Sequence, residues 1–148
     1  MILQIPPALQ AKSCVKENLI EVPKKPGCYL IWRGLQIIYV GVAGKSWTET
    51  NPKTSHLKHR LGEHFRATKS DVFPIMVFER FVLNHISELQ IENITTGKME
   101  IRHLARDYIR EHLSFTFVST DNFSDANKTE KFVRKGGLGD KPLLNPMD

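Results

Sequence analysis

Five side chains in the first half of this 148-residue chain have types and spacing that could do chemistry: Tyr29, Tyr39, His56, Arg60 and His64. On a helix, the four-residue spacing of His56, Arg60 and His64 sets them along one face, about 100° round from the stripe Leu57, Leu61, Phe65. A helix that buries the leucine stripe carries this cationic row at the margin of the core. The row is either a solvated face or a set of groups aimed at an anion. A guanidinium offers a fixed fork of donors to phosphate or carboxylate oxygens, and an imidazole titrates at about 6.5. A free phenol, with a pKa of about 10, acts as a base near neutrality only where a neighbouring cation stabilises phenolate.

These groups need elements to position them. GCYLIWRGLQIIYVG, residues 27–41, holds two β-rich runs around Arg33-Gly34 and reads as a hairpin. A three-residue loop around Gly34 sets Tyr29 directly opposite Tyr39. A two-residue Arg33-Gly34 turn sets Tyr29 opposite Ile38, with the phenols on opposite faces. Residues 42–53 are a polar loop. Thr54 or Ser55 caps a helix to about residue 68. Ile75 to Leu83 is a strand candidate, and residues 84–97 are weakly patterned with a turn at Gly97. Met99 to Leu113 has the 3.6-residue period, with Ile101, Leu104, Ala105, Tyr108 and Ile109 apolar. A short strand follows around Phe115 and Phe117. Ser124 or Asp125 caps a last helix that stops near Gly136-Gly137. The expected fold is α+β (mixed α/β): a small antiparallel sheet, begun by a hairpin and flanked by α-helices. Residues 1–22 read as an N-terminal arm, and residues 23–148 as the domain, with an insertion around 83–105.

Hydrophobic residues make up 41% and charged residues 25%, which excludes a wholly disordered chain. The formal charge of +5 favours a polyanionic partner such as nucleic acid. Two cysteines, Cys14 and Cys28, cannot build a disulfide framework or a four-thiolate zinc site. The start, MILQIPPALQ, has no basic region and is broken by Pro6-Pro7, so no secretory signal is expected; no apolar run suits a membrane helix. The expected location is cytoplasmic, intracellular and associated with DNA.

Pro26-Gly27-Cys28-Tyr29, Tyr39-Val40-Gly41, Arg60-Leu61 with His64, then Glu130 and Leu144-Asn145-Pro146 together resemble the GIY-YIG nuclease superfamily, over roughly residues 23–146. The order and spacing of these motifs carry the resemblance. It implies a metal-dependent endonuclease that hydrolyses phosphodiester bonds in double-stranded DNA. The implied catalytic residues are Tyr29, Tyr39, Arg60, His64, Glu130 and Asn145. Glu130 is also the implied ligand of one Mg²⁺ or Mn²⁺. Tyr39, Tyr29 and His64 all stand as candidates for the general base. Cys28 and Val40 replace the usual isoleucines of the two motifs. Val42 stands where many relatives carry a polar residue, and Lys45 is a substitute from the loop. Trp47 and Lys53 in that loop, Lys58 and Arg66 on the following helix, and Lys131, Arg134 and Lys135 near Glu130 are candidate DNA contacts. The resemblance is to stand-alone, restriction-like members, and a homodimer would let both strands be cut. A non-catalytic DNA-binding module and a nuclease selective for branched or flapped DNA are the competing readings.

Other motifs fail. Gly44-Lys45-Ser46 hints at a phosphate-binding loop, but the required first glycine is Tyr39. The six histidines lack the spacing and partners of a zinc site.

Overall fold

A computed structural model describes residues 3–50 and 55–145 of the chain. It is a mixed α+β domain built on four strands: β1 (Lys12–Ser13), β2 (Gly27–Arg33), β3 (Gln36–Ala43) and β4 (Ser114–Ser119). They form one antiparallel sheet in the order β1-β4-β2-β3. The helices are α1 (Leu57–Arg66), α2 (Phe73–Val77), α3 (Glu88–Thr95), α4 (Ile101–His112) and α5 (Phe123–Arg134). No helix among the described residues is long and apolar enough to cross a membrane.

The sheet buries both faces. Tyr29, Ile31, Ile38 and Ala43 join Leu57, Leu61 and Phe65 of α1, Phe73 and Val77 of α2, and Leu104, Ala105 and Ile109 of α4 in the larger core. Cys28, Leu30, Trp32, Ile37 and Val40 point the other way and pack with Ala126 and Val133 of α5. Ile5, Ala8 and Ala11 of the N-terminal segment lie against this second cluster, and β1 adds an edge strand beside β4. Burial on both sides explains why the hairpin reads as near-continuous apolar runs rather than an alternation.

Neither expected hairpin register is the one formed. Arg33 pairs with Gln36 and Trp32 with Ile37, then a bulge intervenes and Ile31 pairs with Tyr39, Leu30 with Val40 and Tyr29 with Gly41. The two-residue turn, Gly34-Leu35, has Gly34 at φ 61°. Without the bulge, that turn would put the two phenols on opposite faces. The extra residue at Ile38 shifts the register by one, and the side-chain period of two then returns Tyr39 to the face of Tyr29. The tyrosines are therefore diagonal neighbours, with ring centroids 6.3 Å apart.

Three local expectations are corrected. Residues 75–83 are not a strand. Phe73–Val77 is helical, Phe78–Val82 is a π-helical turn and Leu83–His85 a 3-10 turn. Pro74 suits a first helical turn, and Phe73, Val77 and Phe78 meet the core at helical spacing. A continuous apolar run is compatible with either structure, and packing against α4 selects the helix. Second, α1 is capped by His56, whose Nδ1 accepts from the His59 N–H at 3.0 Å, and not by Ser55; Thr54 lies outside the described residues. Third, α5 is capped by Asn122, whose Oδ1 accepts from the Asp125 N–H at 2.9 Å, rather than by Ser124 or Asp125. Within the segment expected as an insertion, α3 starts with a capping box of Ser87 and Gln90.

Candidate active site

β2 carries Tyr29, β3 carries Tyr39 and α1 carries Arg60 and His64, so the hairpin and the next helix place four of the candidate residues. Gly27 lets them close up. A Cβ there would overlap Leu57 Cδ1 and the Val118 carbonyl, so glycine allows the start of α1 to sit on β2. The Leu57 N–H donates to the Lys25 carbonyl at 2.9 Å and holds that junction.

His56, Arg60 and His64 do not form a solvated row. His64 is fully buried and His56 nearly so, while the Arg60 side chain is 38% exposed. Tyr29 Oη lies 2.7 Å from His64 Nε2, and His64 Nδ1 lies 2.5 Å from Asp71 Oδ2. Asp71 Oδ1 accepts from the Phe73 N–H at 3.2 Å. Burial pushes the Asp71 carboxyl up, but the His64 bond, its charge and the Phe73 N–H together hold it below the ordinary value of 3.8. With Asp71 ionised, Nδ1 of His64 carries the proton that faces it. Nε2, on the far side of the ring, is hydrogen-bonded to the Tyr29 hydroxyl. The result is a buried Tyr29–His64–Asp71 chain, enclosed by the Phe73 ring at 4.6 Å from His64.

Asp71 is the residue that reading the sequence missed. Its one local signal is Asp71-Val72-Phe73-Pro74, a short carboxylate just before a proline-started helix. Pairing it with His64 needs the chain reversal at Ala67, which ends α1 in the left-handed region at φ 52°. Asp71→Ala is expected to lower stability by about 2 kcal/mol, because it leaves the buried His64 Nδ1–H without its acceptor. The sign with pH follows from the depressed carboxyl. Its contribution is fully present above the ordinary value and is lost as pH falls through the lower folded value. Thermal denaturation from pH 7 to pH 3 should therefore show wild type converging on Asp71→Ala in acid; a constant gap would remove the ion pair as its cause.

Tyr39 differs from Tyr29 in being only half-buried. It stands edge-on to His64 at 5.8 Å and against Phe73 at 5.1 Å. Burial raises both phenols, and the Arg60 guanidinium opposes that rise in each. Arg60 itself also reaches Glu63 at 3.6 Å.

Glu130 comes from the opposite layer. It lies in α5 on the side of Ala126 and Val133 and is nearly buried, with Arg134 Nε 3.4 Å from its Oε1. Its charge raises both the Cys28 thiol behind the sheet and Tyr39, with burial the larger cause in each. Glu130 thus belongs to the α5 layer, on the other side of the sheet from Tyr29 and α1. Asn145 is committed to the backbone. Its Oδ1 accepts from the Val40 N–H and its Nδ2 donates to the Val40 carbonyl, both at 2.8 Å. With the Leu144 N–H on the Ile38 carbonyl at 2.7 Å, it covers the β3 edge and fixes the strand that presents Tyr39.

The remaining candidate contacts are dispersed. Lys45 is exposed. The Trp47 Nε1–H donates to the Lys24 carbonyl at 2.9 Å, which ties its loop to the start of the domain. Lys53 lies outside the described residues. Lys131 and Lys135 are exposed on and just after α5. Lys58 and Arg66 project from the side of α1 away from Arg60. Among the described residues, no group of three or more His, Cys, Asp and Glu side chains converges to hold a metal ion. Comparison with known protein families, curated proteins and solved structures finds no match to this chain.

Proposed function

We propose that the protein is a metal-dependent DNA endonuclease of the GIY-YIG type. The observation that carries this reading is the convergence of Tyr29, Tyr39 and His64, with centroids within 6.3 Å of one another, under the charge of Arg60. In the proposed roles, Arg60 binds a non-bridging oxygen of the scissile phosphate, and Tyr39 takes the proton of the attacking water. Tyr29, His64 and Asp71 are positioning residues. Their hydrogen-bonded chain locks the wall against which Tyr39 stands, and its burial keeps His64 from touching substrate directly. Asn145 holds the Tyr39 strand.

On this reading a hard divalent cation would take Glu130 as its one protein carboxylate, whose Oε1 also faces Arg134. Glu130 offers a carboxylate, and the neighbouring Cys28 thiol, pushed up by burial and by Glu130, stays protonated and is no ligand. Mg²⁺ and Mn²⁺ prefer such oxygen donors, and Mg²⁺ keeps several waters, so one carboxylate and the substrate phosphate suffice. When bound, the cation supplies the charge that stabilises the crowded phosphate oxygens and the leaving 3′ oxygen. Since one such site acts on one strand, double-strand cleavage on this reading calls for two copies or two visits.

Plasmid nicking with Mg²⁺ or Mn²⁺ tests the reading. Arg60→Ala is expected to slow cleavage by about a hundredfold, the usual effect of removing one donor to transition-state charge. Wild type that cuts no faster than Arg60→Ala at any salt concentration overturns it. If such a protein still binds DNA with an affinity indifferent to Glu130→Gln, a binding module is left.

A further inference from the structure

The row Lys58, Gly62 and Arg66 lies about 180° round α1 from Arg60 and His64. It forms one wall of an open groove of about 720 Å³. The 3-10 turn Lys16–Leu19 and Ile20 form the other wall, and Lys24 and Arg110 also line it. Gly62 leaves the space over the helix into which the Arg66 guanidinium folds. Among the described residues no Asp or Glu lines this groove, and none of Lys16, Lys24, Lys58, Arg66 and Arg110 is ion-paired. These five cations equal the whole formal surplus of +5, so the other basic and acidic residues of the chain cancel. The density of charge tells on a neighbour. Burial, then the charges of His59, Lys24 and Lys58, hold the His56 imidazole below its ordinary value. Between the cations lie Leu19 and Ile20, the latter 77% exposed.

We propose that this groove binds an unpaired stretch of a nucleic-acid strand on the side of α1 opposite the cleavage site. The proposal rests on the endonuclease reading for its biological sense and extends it to the class of substrate. Concentrated cations recruit a phosphodiester backbone, whose binding releases counterions. A paired duplex meets such a surface with phosphates alone and leaves Leu19 and Ile20 wet. An unpaired nucleotide has a free sugar and base face to lay on Leu19 and Ile20 while its phosphates meet the rim. The groove is about one helix diameter, or 10–12 Å, from Arg60, so a single strand continuing past the scissile phosphate can enter it within a few nucleotides. That geometry favours a flapped or branched substrate over a plain duplex.

The test is fluorescence anisotropy without divalent cation, using a labelled oligothymidylate of about 12 nucleotides and a duplex of equal length. Wild type is expected to prefer the oligothymidylate. Lys58→Glu with Arg66→Glu should weaken that binding by about tenfold or more and flatten its salt dependence. Ile20→Glu, at an exposed position that cannot unsettle the core, should narrow the preference for the unpaired strand. Circular dichroism melts confirm that each variant is folded. Oligothymidylate affinity within twofold of wild type in the double variant, or a wild type that binds duplex as tightly as the unpaired strand, overturns the proposal; so does a groove that instead takes an acidic peptide in competition. Wild type that binds oligothymidylate through the groove yet never cuts DNA leaves the groove standing and sinks the endonuclease reading. Wild type that cuts while the double variant binds normally does the reverse.

Discussion

Tyr39→Phe is expected to lower kcat/KM for DNA cleavage about a thousandfold while leaving the fold intact, within the range for losing a positioned general base. Tyr39 is the phenol with access to solvent; Tyr29 is 1% exposed and its hydroxyl is committed to His64. The substitution removes one oxygen from a half-buried ring and keeps the contacts with Phe73 and His64. The pH profile distinguishes this base from an imidazole. Burial raises Tyr39 above its ordinary value of 10.0, against the pull of Arg60. The active form is phenolate, so between pH 7 and pH 9 each unit multiplies its fraction by about ten, and log kcat/KM should climb with unit slope. An imidazole base would level off above about pH 7. A plateau there, or a Tyr39→Phe loss under tenfold, would remove Tyr39 from the role. Initial rates of plasmid nicking at saturating Mg²⁺ supply both readings.

Gly41→Ala is expected to destabilise the domain by about 3 kcal/mol, at the upper end for overpacking a core, and to lower its melting temperature by about 9 °C. Gly41 is the residue of β3 that pairs with Tyr29, and a Cβ there would overlap Cζ and Oη of that phenol. The Tyr29 ring cannot retreat, because it is buried and held to His64. The glycine of the Tyr39-Val40-Gly41 motif therefore serves packing: its missing side chain is the space in which Tyr29 lies. Differential scanning calorimetry checks the shift, and a drop of less than about 2 °C would mean that the ring does not lie there. In a Tyr29→Ala background most of the penalty should vanish, since residues in contact are not additive.

The placement of Tyr29, Tyr39, Arg60 and His64 separates what was legible in the residues from what was not. Local pattern located the hairpin, α1, α4, β4 and α5, because each carries its own periodicity and stop signals. It also put Arg60 and His64 one turn apart on α1. It misread residues 75–83, where an apolar run satisfies strand and helix alike and only the neighbour, α4, decides. It could not choose the face of Tyr39. That choice depends on one bulged residue, Ile38, and a single insertion inverts every side chain beyond it. Nor could it find Asp71, whose partner lies across a chain reversal, or show that His64 is sealed in the core. The sequence by itself determined those periodic elements, the charge surplus and which side chains could do chemistry. Tertiary structure alone decided which of them meet, which reach solvent and that five cations line one groove behind α1. The reason is physical: periodicity is a property of neighbours along the chain, whereas register, burial and electrostatic environment are set by residues far apart in it.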